Sequence, residues 1–474
     1  MYSSGVISQL FSMLVELSPE MDVVPDVAKT WEVSEGGRKY VFHLREGTRW
    51  SDGIPVTAED FAYAWRRALD PATGSPAAGL LYDIKGARGF HQGEVSDPGY
   101  VGVKALDEHT LVVELKEPTS YFLQLLAYPA TGPVPRHVVE TYREAWTEVD
   151  NIVINGPFRL ESWKRGKAMV LVRNPQYHGR FRGNVQQIDL FPLEGSAALK
   201  MYENDSLDVL DLKLLPPPEM DRARQRHAGE YLSVPSLATI FVAFDTSRPP
   251  FDDARVRQAF VLATDRQTLG DVIWRGYVFP ATGGFIPPGM PGHSVGIGLP
   301  YDPEQARQLM AEAGYPGGRG FPVADALTPH EREPLSKHLR AQWQENLGVE
   351  ITWQSMEYGA FVERVYREPP SMSLARWVAD YPDPDNFLRV GFAIWLPGWG
   401  NETYAGLVEE AKRSMDQEER MDLYKRADKI LVEEATIMPL NYIRLHLLIK
   451  PWVKKHRTSA VTWWFWKDVI IEPH

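Results

Sequence analysis

The sequence predicts an α/β protein folded in more than one lobe. Three observations carry that expectation: the length of the chain, strand-like alternation in its first quarter, and helices with separate start and stop signals. At 474 residues the chain exceeds the size at which a single hydrophobic core stops growing, so two or three lobes are expected. Its residues are 44% hydrophobic and 24% charged, enough apolar material for large cores. The 37 prolines and 37 glycines imply many ordered turns, because no long stretch has a disordered composition.

Taken in order, Tyr40, Phe42 and Leu44 alternate with polar neighbours, as do Leu111, Val113 and Leu115. Both runs read as half-buried strands. Between them, Thr57-Ala58-Glu59-Asp60 matches a capping box, and Phe61, Trp65 and Leu69 follow at helical spacing. A helix is predicted from Asp253 to Trp274, with Val256, Phe260 and Ala263 on one face. Asp302-Pro303 opens another, with Leu309 and Ala313 inward and Gly314 as its stop. Asp416 opens a third, running through Leu423, Ala427 and Leu431. Breaks fall at Pro216-Pro217-Pro218, at Pro249-Pro250 and across 285–300. Several blocks of mixed strands and helices therefore give α/β or α+β lobes.

Other readings are disfavoured one by one. A net charge of −12 opposes nucleic-acid binding, which needs clustered Lys and Arg. The short basic run Lys454-Lys455-His456-Arg457 reads as a solvated turn. With no cysteine there are no thiol nucleophiles, disulfides or Cys-based metal sites. No run of 18 apolar residues spans a membrane. Met1 to Leu17 lack a basic region and a cleavable apolar run, so no signal peptide is visible. Gly292-His293-Ser294-Val295-Gly296 fits the nucleophile-elbow pattern of serine hydrolases, which requires a strand before the serine and a helix after it. Pro287, Pro288 and Pro291 precede it and Gly298 and Pro300 follow, so a loop is expected. The 12 histidines are scattered singly. Asp383 and Asp385 lack the spaced Gly and terminal Glu of a calcium loop and read as a proline-stiffened turn.

Aromatic residues say more. Of 15 tryptophans, Trp377, Trp395 and Trp399 cluster in one region, and Trp463-Trp464-Phe465-Trp466 form a second group. The C-terminal group reads as core. Trp377, next to the acidic turn, fits a ligand pocket at least as well as a core.

Several strings, in order along the chain, carry a family resemblance. They are Ala28-Lys29-Thr30-Trp31-Glu32-Val33, Tyr40-Val41-Phe42-His43-Leu44-Arg45-Glu46-Gly47 and Trp50-Ser51-Asp52-Gly53 with Val56-Thr57-Ala58-Glu59-Asp60-Phe61. Asn155-Gly156-Pro157-Phe158, Asn174-Pro175-Gln176-Tyr177, Pro250-Phe251-Asp252-Asp253-Ala254-Arg255, Ala379-Asp380-Tyr381-Pro382-Asp383-Pro384 and Lys450-Pro451-Trp452-Val453 continue the set. Together they resemble the family-5 solute-binding proteins, in particular the oligopeptide-binding branch.

The resemblance implies a periplasmic-binding-protein-like (type II) clamp of three lobes joined by a hinge. Lobe I would combine residues 1–20, 152–235 and 450–474; lobe II would be 21–151 and lobe III 236–449. It implies the binding component of an ABC-type importer, delivering oligopeptides to a membrane permease and its ATPase, and not an enzyme. A monomer without cofactor, metal or nucleic-acid partner is implied, at the periplasmic or outer face of the membrane. Asp380 would bind the peptide's α-ammonium, while Arg376 and Val378 would bond its backbone beside Trp377. Leu374 stands where the family pattern has a basic residue, and no residue is assigned to the peptide's carboxyl end. The alternatives are the same fold holding an oligosaccharide or a metal complex, or a hydrolase using Ser294.

Overall fold

The computed structural model describes residues 2–193, 195–396, 398–457, 460–461 and 464–474. The chain divides into two compact units. One comprises residues 1–232, 413–415 and 447–474; the other comprises 233–412 and 416–446.

The first unit holds a four-stranded antiparallel sheet in the order 28–34, 39–44, 110–114, 103–107. Its alternation is the one the sequence shows: Tyr40, Phe42 and Leu44 are buried, as are Leu111 and Val113. The helix Ala58–Leu69 follows its capping box, in which the Thr57 amide donates to Asp60 Oδ2 at 2.8 Å. Phe61, Trp65 and Leu69 are fully buried along one face. A three-stranded antiparallel sheet, 158–164, 168–173 and 187–190, lies later in the unit. Pro216-Pro217-Pro218 does more than break the chain, since the helix Pro217–Arg226 starts on it. Proline suits a first helical turn, where the missing N–H would have no partner.

Trp463 of the C-terminal aromatic group lies outside the described residues. Of its neighbours Phe465 is buried, while Trp464 and Trp466, 6.0 Å apart, are half-buried, so the group is core only in part.

The second unit is built on a mixed sheet. Its long strand, Tyr231–Phe244, begins at the end of the first unit and lies between Ile437–Ile449 and Met372–Val378. Beyond Met372–Val378 come Asp325–Pro329 and Thr352–Met356, both added in parallel. Val278–Pro280 pairs with Ile437–Ile449 on the opposite side. Ile240, Val242, Phe244, Met372 and Leu374 of the sheet share one core with Phe260, Met310 and Trp343 of the covering helices.

One helix expectation needs correction and a second needs refinement. The stretch 253–274 is two helices, Ala254–Leu262 and Arg266–Trp274. Thr264 Oγ1 bonds the Phe260 carbonyl, and Asp265 accepts from the amides of Gln267 and Thr268, which opens a new helix. Val256, Phe260 and Ala263 are nevertheless all fully buried. In Pro303–Glu312 the buried residues are Ala306 and Met310; Leu309 and Ala313 pack partly buried at the core's edge. The helix Gln417–Glu433 starts at its Asp416 cap and buries Leu423, Ala427 and Leu431 as predicted.

Candidate functional site

The site lies within the second unit, on the strand Met372–Val378 and the turn after it. Its first half is buried and its last three residues, Arg376, Trp377 and Val378, are half-exposed. On one edge it pairs antiparallel with the long strand along its whole length, from Met372↔Phe244 to Val378↔Ala238. On the other edge Asp325–Pro329 is in register with Met372 and Ser373 only. Past that point no strand pairs with this edge among the described residues.

The direction of the main-chain groups follows from a single hydrogen bond. The Ala379 amide donates to the Leu237 carbonyl at 2.9 Å. Backbone groups alternate from one edge of a strand to the other. Ala375, Trp377 and Ala379 therefore point theirs toward the long strand, while Arg376 and Val378 point theirs toward the open edge. Their side chains alternate too, between the two faces of the sheet. Arg376 falls on the face of Met372 and Leu374, at the rim of the core, and Trp377 falls on the opposite face.

The turn that follows is over-determined. Asn386, fully buried, accepts from Trp377 Nε1 at 2.9 Å and from the Asp380 amide at 3.2 Å, and its Nδ2 donates to Asp380 Oδ2 at 3.3 Å. One amide side chain thus fixes both Trp377 and Asp380, the two residues the sequence places in a site. The role of Asn386 is missed by sequence reasoning, because an Asn after Asp-Pro-Asp reads as one more turn residue. Trp377 itself sits over Gly391, where a Cβ would lie 3.1 Å from three atoms of its ring.

The acids beyond Asp380 are structural. Asp383 accepts from Arg420 Nη2 at 2.7 Å, and Asp385 takes a two-pronged bond from Arg389 at 2.8 and 2.6 Å. Tyr381 donates to Asp385 at 2.6 Å. Burial pushes the Asp383 carboxyl up, with the Arg420 charge opposing it. These pairs make Asp383 and Asp385 parts of a turn, in keeping with the sequence, and no cluster of metal-ligating side chains occurs among the described residues. Trp395 and Trp399 do not join Trp377 as stacked platforms. Trp395 is buried against Phe241 and Phe361, and Trp399 packs on Phe392 and Tyr404.

Ser294 lies in a segment without helix or strand from 281 to 302. The neighbouring His293 donates from Nδ1 to the Ile286 carbonyl at 2.6 Å. Neither the strand nor the helix of a nucleophile elbow is present, so the hydrolase reading loses its required geometry.

Superposition on solved relatives gives the mixed α/β fold its class, that of the type II periplasmic solute-binding proteins. The sequence profile of bacterial extracellular solute-binding proteins, family 5 Middle, matches residues 22–393. The chain belongs to this family. It is 32% identical over 468 residues to a probable deoxycholate-binding periplasmic protein of Escherichia coli (strain K12), covering 95% of this chain and 86% of that one. It is 30% identical over 466 residues to the periplasmic oligopeptide-binding protein OppA of the same organism, covering 95% and 84%. Among solved structures, a periplasmic oligopeptide-binding protein of Borrelia burgdorferi superposes with a TM-score of 0.86 at 29% identity, covering 98% of this chain and 94% of that one.

Proposed function

We propose that this chain is the substrate-binding component of an ABC-type importer and captures oligopeptides by strand addition. The observation that carries the reading is the open edge of Met372–Val378, toward which the main-chain groups of Arg376 and Val378 point, with Asp380 two residues past its end. An extended peptide bonding there would be held through its backbone, which gives affinity independent of sequence. Asp380, held in place by Asn386, would receive the α-ammonium as a charge-assisted bond. Trp377 and Arg376 would meet side chains of the peptide on the two faces of the added strand. The resemblance to oligopeptide-binding relatives supports the same ligand class.

The partners in this reading are a membrane permease and its ATPase, and the chain acts as a monomer outside the cytoplasmic membrane. The three-lobe division with boundaries near 20, 151, 235 and 449 belongs to the same proposal.

Calorimetric titration with trialanine, and with deoxycholate as the comparator ligand, tests the assignment. Trialanine is expected to bind, and Asp380→Ala is expected to weaken it by about 1.5–3 kcal/mol, the scale of a hydrogen bond to a charged group. Deoxycholate binding without peptide binding would overturn the peptide assignment and leave the fold's role as a solute binder.

A further inference from the structure

The strand Asp325–Pro329 stops following the site strand at Leu327↔Ser373 and runs into a short turn, His330–Arg332. Extended in register, residue 330 would fall opposite Arg376, so the turn carries Arg332 past the open stretch of the site strand. Arg332 is 3% exposed, yet its Nη1 has no hydrogen-bond partner among the described residues. Its one ion pair among the described residues, from Nη2 to Glu331 Oε1 at 3.4 Å, is to a side chain 54% exposed. Arg376 is half-buried and sits close enough for its charge to act on Arg332. Burial and that second charge push Arg332 down to about 10. Burial likewise lowers Arg376, with Tyr358 and Glu331 as its opposing neighbours. Two guanidiniums are thus set into the protein against one exposed carboxylate. An uncompensated buried cation is costly unless a ligand anion completes it.

We propose that Arg332 and Arg376 form a carboxylate-selecting subsite beside the open edge, so that this protein prefers ligands carrying a negative charge there. The inference rests on the strand-addition reading. Asp380 and Arg376 are four residues apart, roughly 13 Å along a strand at about 3.3 Å per residue. With the Asp380 side chain reaching along the edge to the α-ammonium over about one or two residues of that span, an anchored peptide presents its third or fourth residue to the pair. Cross-strand neighbours share a face, so a side chain there meets the Arg376 guanidinium directly. Guanidinium pairs suit carboxylates because their planar fork matches the two oxygens. The carboxylate has two sources in a peptide: an acidic side chain, or the terminal carboxyl of a chain that ends there.

The test titrates the full chain and its Arg376→Gln and Arg332→Gln variants with four peptides. These are Ala-Glu-Glu-Ala amide, Ala-Gln-Gln-Ala amide, and trialanine as acid and as amide; deoxycholate, a carboxylate of another class, is added to the set. Thermal melts confirm that each variant is folded, and Arg332→Lys replaces Arg332→Gln if the latter is not. In the parent protein the Glu peptide is expected to bind at least about tenfold tighter than the Gln peptide, and the ratio to fall to about twofold in the Arg376 variant. If it is the acid-to-amide ratio of trialanine that depends on Arg376, the pair holds the terminal carboxyl instead. If peptides bind and neither ratio changes in the variants, the subsite is overturned while the peptide reading stands. If no peptide binds, the peptide reading fails. The pair is then supported by a deoxycholate affinity that drops about tenfold in Arg376→Gln. It is overturned if that affinity is unchanged or if no anion of the set binds.

Discussion

In the first unit, Asp26 meets His178 at 3.0 Å and Glu16 meets Lys467 at 2.7 Å, across 152 and 451 positions of sequence. In the second, Asp385 meets Arg389 one helical turn on, and Asp383 meets Arg420, 37 positions away. Both regions bury carboxylates beside a tyrosine, Tyr177 in the first and Tyr381 in the second. One pair from each differs in how dry it is, whereas Asp26 and His178, 9% and 5% exposed, form a dry pair in the first unit too. Asp383 and Arg420 have side chains 3% and 2% exposed. Glu16 keeps 31% and Lys467 15%, and a cavity lined by polar Ser12, Glu16, Asp26, Tyr177 and Lys467 and by apolar Phe11, Val15 and Phe465 adjoins them. A pair that water can reach tolerates the loss of one partner, whereas a dry pair does not. Of these two pairs the one in the turn that carries Asp380 is therefore the more brittle, and the rigidity of that turn would hold Asp380 in place for the ligand proposed above.

The sharpest way to break that contrast is Arg420→Met. It strands the Asp383 carboxylate in a dry site and is expected to lower stability by about 3–5 kcal/mol in denaturant titration. Lys467→Met leaves Glu16 partly hydrated, so a loss of only about 1–2 kcal/mol is expected. Equal losses would mean that exposure does not separate the two pairs.

A pH experiment compares the regions through their carboxylates. His178 and Lys467 hold Asp26 below its ordinary value of 3.8 against the opposing effect of burial. A depressed native pKa means that the unfolded state binds more protons, so Asp26 stabilises above pH 3.8 and that contribution fades as pH falls through the native value. Asp428 has the opposite sign. It is fully buried with the amides of Phe285 and Ile286 as its partners, at 2.7 and 3.3 Å, and burial pushes it up to about 7. Its native form binds the extra proton, so its contribution is complete below pH 3.8 and is lost as pH rises through about 7. Unfolding free energy, read by denaturant titration at each pH, should fall across that window by at most about 1.4 kcal/mol per pH unit at the steepest point. Asp428→Asn should flatten the profile. A profile of the variant as steep as that of the parent would show that Asp428 is not the titrating group.

What the sequence reveals tracks the distance over which each contact forms. The alternation at Tyr40-Phe42-Leu44, the Thr57 cap and the Ala379–Pro384 turn are local, and local physics writes them legibly into the chain. The break at Thr264-Asp265 is missed although its signal is local: a Thr-Asp cap ends one helix and starts another, but the apolar period continues across it and hides the cap. The open edge of Met372–Val378 is not legible. It exists because Asp325–Pro329 departs after two paired residues, and no residue in either strand announces that. Nor does sequence show that Asn386 ties Trp377 to Asp380, or that Arg332 comes beside Arg376, since both depend on how separate segments fold back. The family strings locate the acid; only the fold identifies what positions it.

The smallest predicted effect probes that positioning without touching a charged group. Gly391 has φ −62° and ψ −41°, an ordinary helical conformation, so alanine fits its backbone without strain. Helix propensity favours alanine by about 0.5–1 kcal/mol. The new methyl would meet the Trp377 ring at 3.1 Å, closer than normal contact, and the ring must yield by a few tenths of an ångström. That shift lengthens the bond from Trp377 Nε1 to Asn386, and Asn386 also holds Asp380. The two effects nearly cancel in stability, so Gly391→Ala is expected to melt within about 2 °C of the parent. Ligand affinity should nevertheless fall by about 0.5–1 kcal/mol, the size of a slackened hydrogen bond. A lower melting temperature with unchanged affinity would reverse the reading: Trp377 would then be packing for the core, with no hold on the acid beside it.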